Sequence, residues 1–285
     1  MIFAIFATIV AGATAKLLNK IGVHRTSVYA IILTSNVIGA AVSAAFVFLN
    51  PHVSLTIPKH YYVSIGIPML LWPIASILTY YGMRHTQVSV RESLTQSRLI
   101  FVPLIAVLFL GENIIPFAGL GTILIFVGIL TAVYKSSLSI KHSDMHGVGY
   151  VLAASFIIAI ISTFDKHNVS GTDYMYYSLL VYVGQSVIFL LFLNKERGRE
   201  LLALLCGRNT LVVTSAGLSG AFFYILQLWL YTHLALHIAY PIIQLSSAAA
   251  LVLAIIFLGE HDRIPFKILG FSLAALGAVL LRLAM

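Results

Sequence analysis

Ten apolar runs, each close to the length of a bilayer crossing, follow one another along the chain with only short gaps between them. They cover 2–18, 28–48, 61–83, 87–110, 115–134, 147–164, 174–193, 210–232, 237–258 and 264–284, and about 20 apolar residues make one helical crossing. Only 76 positions remain for loops and ends, so consecutive runs become neighbouring antiparallel helices. The runs are continuously apolar and lack the period-two alternation of a membrane barrel. Pro68, Pro73, Pro103 and Pro241 fall inside runs, which helices in lipid tolerate because neighbours satisfy the freed backbone groups. The expected fold class is all-α, a polytopic membrane protein with ten transmembrane helices.

Composition decides what surrounds the chain. Charged residues make up 9% and apolar residues 60%, against roughly a quarter and about half in a soluble domain. The net charge of +8 sits in the gaps between runs, so it reports membrane topology and not a nucleic-acid partner. Cys206 is the single cysteine, which excludes an intramolecular disulfide and a thiolate metal cluster. Ala13-Thr14-Ala15 resembles a cleavage site. No basic residue precedes that apolar stretch, as a signal peptide requires, so the segment reads as helix one.

The chain also repeats itself. Residues 78–112 align without a gap to 226–260, with eight of 35 positions identical and Phe-Leu-Gly-Glu closing both segments. Ile115-Pro116-Phe117 then recurs as Ile264-Pro265-Phe266, and Gly121 and Gly128 recur as Gly270 and Gly277. The halves are 1–134 and 147–285, joined by a polar linker at 135–146. Five helices per half is an odd number, so the halves run through the membrane in opposite directions. Such inverted repeats are characteristic of secondary transporters, which hold substrate between the halves near the midplane.

Ten helices in two fives, Leu-Gly-Glu at 110–112 and 258–260, and Gly-x6-Gly in each fifth helix resemble the EamA-type transporters of the drug/metabolite transporter superfamily. The resemblance spans essentially the whole chain. It implies a carrier that alternates access around a central cavity and moves small metabolites across the cell membrane.

Twelve Lys and Arg lie in or beside the odd-numbered connections, and three in the even connections and C-terminus. The positive-inside rule then puts the odd connections in the cytoplasm and both termini outside. The resemblance implies both termini in the cytoplasm. The size of the charge bias favours the first arrangement.

Arg91, Glu92 and Arg98, all in the fourth run, are the ionisable residues deep inside a span. A charge there costs about 2.5–3.5 kcal/mol on insertion scales and needs a partner or water. At about 100° per residue they share an arc with Thr95, Gln96 and Leu99. The arc reads as a cavity wall, or as an Arg–Glu pair that fixes helix packing. His237, Tyr240, Gln244 and Ser247 form one narrow face of the ninth run, and the repeat pairs Glu92 with Tyr240 and Gln96 with Gln244. That face reads equally as cavity lining or as interhelical hydrogen bonding. Trp72 sits mid-span and either stacks on substrate or packs as core. Tyr80, Tyr81 and Tyr231 near span ends suggest an interfacial aromatic belt, and Asp165-Lys166 an interfacial pair. His233 with His237, and His142 with His146, have i, i+4 spacing but no HExxH context, so no metal or other cofactor is expected. Gly-x6-Gly in the fifth and tenth helices predicts a packing seam.

Two guanidiniums suit a carboxylate or phosphate, and Glu92 suits an amine or a coupling proton. The expected substrate is therefore an amino-acid-like zwitterion, with an anionic metabolite next. Arg98 would hold the carboxylate, Glu92 the amine or proton, and Gln96 and Gln244 would orient the ligand. Arg91, Tyr240, Trp72 and Ser247 complete the substrate-binding set, in a monomer or homodimer within the lipid bilayer. An intramembrane enzyme acting on a lipid-linked substrate would need a clustered acid, base or metal near an interface. No such motif is visible, so an enzyme is not expected. A channel is the other alternative, distinguished by flux that does not saturate.

Overall fold

The computed structural model describes residues 1–23, 27–85, 94–113, 115–132, 145–207, 209–258 and 264–283. Among them are eleven α-helices and no strand. In the first half these are α1 (Ile2–Val23), α2 (Val28–Leu49), α3 (Tyr62–His85), α4 (Arg98–Leu110) and α5 (Pro116–Ala132). The second half has α6 (Met145–Val169), α7 (Tyr174–Leu191), α8 (Lys195–Leu205), α9 (Thr210–His233), α10 (Leu236–Leu258) and α11 (Ile264–Leu283). Helices α1, α2, α3, α6, α7 and α9 are long and apolar enough to cross a membrane, and α4, α5 and α11 hold shorter apolar stretches.

Two features differ from the expectation of ten unbroken spans. Helix α8 occupies a segment read as a loop. Asn194 caps it by accepting from Arg197 N at 2.9 Å, and Arg197 lies over the Tyr29 ring at 5.0 Å. The Glu200 carboxylate takes a bond from Ser27 Oγ. With five charges in eleven residues, α8 is too short and too polar to span. The fourth run is also not one helix. Leu94 and Thr95 are helical, Gln96 and Ser97 form a turn, and α4 starts at Arg98. Bonds from Ser97 N to Leu94 O and from Leu99 N to Gln96 O show the tighter i to i−3 pattern. Such a stretch inside a helix often marks a functional hinge.

The chain folds as two compact units, and each draws on both sequence halves. The first comprises Met1–Ser76 with Phe164–Thr232, the second Ile77–Thr163 with His233–Met285. In the first unit α2 packs on α1, α7 and α8. Gly39 makes the α2–α7 approach possible, because a Cβ there would sit 2.5 Å from the Tyr182 ring.

In the second unit α5 and α11 form the most extensive helix pair. A Cβ on Gly121 would lie 2.8 Å from Gly277 O, and one on Gly277 2.6 Å from Gly121 O. A Cβ on Gly128 would lie 2.6 Å from Gly270 O. The two backbones therefore touch, as small residues in lipid permit, and the seam predicted from Gly-x6-Gly is present. Positions rise along α5 as they fall along α11, so the helices are antiparallel. The repeat maps the 121–277 contact onto the 270–128 contact, as a two-fold relation between copies requires.

Candidate functional site

The turn at Gln96-Ser97 delivers Arg98 into a polar cluster of the second unit. Arg98 Nε donates to Ser155 Oγ at 3.3 Å, and Ser155 is wholly buried on α6. The Tyr240 hydroxyl of α10 lies near the Arg98 guanidinium and Gln244. Ser247 Oγ donates to Gln244 Oε1 at 3.2 Å. Gln96, Tyr240, Gln244 and Ser247 are all buried. Among the described residues Ser97 Oγ is buried with no hydrogen-bond partner. The described contacts of Arg98 are thus with neutral hydroxyls, which orient a guanidinium without neutralising it. Such a group can take a carboxylate or phosphate oxygen.

The Leu-Gly-Glu motif acquires a physical meaning beside this cluster. Gly111 adopts φ +65°, ends α4 and returns its N–H to Ala106 O; left-handed backbone of this kind favours glycine. Glu112 then accepts from Leu236 N at 2.7 Å and His237 N at 3.1 Å, and its Oε2 lies 2.7 Å from His237 Nδ1. The carboxylate thereby satisfies orphan N–H groups at the start of α10, where the helix dipole also favours negative charge. His237, read from sequence as cavity lining, is engaged by this cap. Glu112→Ala is expected to lower stability by about 2 kcal/mol, the upper range for loss of a cap. Glu112→Gln should recover part of it. Thermal unfolding in detergent measures both, and an unchanged midpoint for Glu112→Ala would refute the capping role. The second copy of the motif, ending at Glu260, lies outside the described residues.

The sequence profile of the EamA-like transporter family matches residues 1–134 and 145–283. The chain belongs to the EamA-like transporter family. It is a membrane transporter of the drug/metabolite transporter superfamily with multiple apolar helices. A solved structure described only as "Crystal structure of protein" is similar over 99% of this chain and 99% of its own, with TM-score 0.77 and 14% identity. At that identity the likeness speaks for the fold alone. No curated protein matches the sequence.

In this EamA-like transporter the expected site residues divide among three places. Arg98, Gln96, Tyr240, Gln244 and Ser247 all belong to the second unit. Trp72 belongs to the first, where its ring meets Tyr224 edge-on at 6.0 Å and 90°. Arg91 and Glu92 lie outside the described residues. Sequence reasoning overlooked Ser155, which looked like any small residue in an apolar helix, and misread Asp165. Asp165, expected to pair with Lys166, is instead wholly buried and bonded by tyrosines from α7 and α9. Tyr80 and Tyr231, assigned to an aromatic belt, are buried too, whereas Tyr81 is exposed.

Proposed function

We propose that the chain is a secondary transporter that moves an amino-acid-like zwitterion, with an anionic metabolite as the next class, by alternating access. In this reading ten spans in two inverted sets of five, 1–134 and 147–285, cross the cell membrane. The four helices α4, α5, α10 and α11 join the six of full spanning length, while α8 stays outside lipid. The observation that carries the proposal is Arg98, placed by a tightened turn in its span and donating to the wholly buried Ser155. Charged residues within membrane helices are rare and mark substrate and ion pathways. Arg98 binds the substrate carboxylate and Gln96, Tyr240, Gln244 and Ser247 orient it. Arg91 completes the binding set, and Glu92 receives the amine or a coupling proton. The protein works as a monomer or homodimer, coupled to protons or by exchange.

Proteoliposomes loaded with a mixture of unlabelled L-amino acids test this reading. Uptake of radiolabelled amino acids is expected to saturate and to show counterflow. Carboxylate-bearing compounds should compete, and the corresponding amines without a carboxylate should not. Linear flux would point to a channel, and equal competition by the amines would remove the carboxylate from the recognition scheme.

A further inference from the structure

The first unit holds a buried carboxyl that the substrate site does not use. Asp165 on α6 is wholly buried. Its Oδ1 accepts from the Tyr177 hydroxyl at 2.6 Å and the Tyr224 hydroxyl at 3.2 Å. Its Oδ2 is buried with no hydrogen-bond partner among the described residues. Asn168 Nδ2 donates to the Tyr177 hydroxyl at 3.3 Å and to Ser64 O at 3.0 Å, and Ser64 Oγ donates to Asn168 Oδ1 at 2.5 Å. This network ties the carboxyl to the start of α3.

The groups around it restrict what it can bind. From α7 the ionisable neighbours are Tyr177 and Tyr182, and from α9 Tyr224, whose ring meets Tyr182 at 5.4 Å. Helix α3 presents Ser64 and Trp72, neither ionisable, and α2 meets the cluster through Gly39, against Tyr182. On α6 itself, Lys166 donates to Tyr231 O and the His167 ring packs on Tyr61 at 5.1 Å. A hard metal ion needs about six oxygen ligands, whereas this carboxyl is met by two phenol hydroxyls that donate to it. A proton needs one open oxygen, which Oδ2 supplies. Ionisable residues buried within membrane helices are costly and mark ion or proton paths.

We propose that Asp165 is a proton-exchange site of the transporter. Oδ2 gains a proton in one access state and gives it up in the other, while Oδ1 stays on the two phenols. No bond between heavy atoms forms or breaks; the carboxyl alternates between acid and carboxylate. The coupling rests on the carrier reading above, but the existence of the site does not.

Trp72 provides a reporter that needs no substrate, because it packs on the Tyr224 ring that bonds the carboxyl. The chain has two tryptophans, so Trp229→Phe isolates its emission. That emission is expected to titrate in one step across the pH range in which the protein stays folded, and to be flat when Asp165→Asn is added. A flat response in Trp229→Phe alone, or an unchanged step with Asp165→Asn, overturns the proposal. Should Asp165→Asn not fold, Tyr224→Phe in the same background decides: a displaced midpoint supports the site and an unmoved one rejects it. In proteoliposomes, a pH gradient should accumulate radiolabelled L-amino acids with the unmutated protein. With Asp165→Asn the accumulation ratio should fall to unity while counterflow persists, and gradient-driven accumulation that survives the substitution overturns the coupling. Absence of transport in both proteins would sink the substrate reading instead, leaving the Trp72 titration to judge Asp165.

Discussion

Gly128→Val is expected to leave no folded transporter to purify. A Cβ at this position falls 2.6 Å from Gly270 O and 2.7 Å from Ala274 N, nearer than real Cβ atoms come to anything. Both obstacles are backbone, so no side chain can swing aside. Overpacking in a tight core costs about 1–3 kcal/mol and occasionally more, while a whole protein is stable by only about 5–15 kcal/mol. Valine adds two further methyl groups and must force α5 and α11 apart along the most extensive helix pair of the fold. Gly128→Ala should be intermediate, losing about 2 kcal/mol. Gly149→Ala is the control, because a Cβ there meets nothing within 4 Å. Yield of monodisperse protein and thermal unfolding read the series, and a Gly128→Val protein that elutes and melts like the parent would refute the seam.

Arg98→Ala is expected to cut transport by about ten- to a hundredfold in a protein that still folds. A hydrogen bond to a charged group is worth about 1.5–3 kcal/mol, and the loss should appear as weaker substrate binding. Arg98→Lys should not restore it. A compact ammonium cannot offer one edge to Ser155 and another to substrate as a planar guanidinium does. Ser155→Ala removes only a group that orients the guanidinium, so its effect should be smaller. Unchanged uptake by Arg98→Ala would remove this residue from substrate recognition and with it the carboxylate assignment.

Features with a local period or a local repeat were legible in the sequence. Gly121 and Gly128 on one helix and Gly270 and Gly277 on another announced a seam through spacing alone, and the contacts that close it follow the repeat. The polar face of α10 was readable for the same reason. What escaped notice depends on contacts distant along the chain. Glu112 caps a helix that begins 124 residues later, and no local pattern encodes that partnership. Asp165 lies four residues from the end of α6, and no local pattern announces that Tyr177 and Tyr224 bury it. The turn at Gln96-Ser97 was hidden because the polar residues from Arg91 to Arg98 read as one face of a continuous helix, and nothing in their spacing marks where the helix tightens. Helix α8 was lost because a short amphipathic helix has too few residues to stand out from a charged loop.

The composition of the compact units also governs how the protein is made. The first unit is incomplete until Thr232 has left the ribosome, and the second until the segment beginning at His233 follows. Glu112 is therefore synthesised well before the amides it will receive, and Gly121 and Gly128 before the helix that will cover them. Throughout that interval the nascent first half rests in lipid with its seam unsealed and its capping carboxylate unengaged. Only α10 and α11 bring the amides that engage Glu112 and the backbone that covers Gly121 and Gly128.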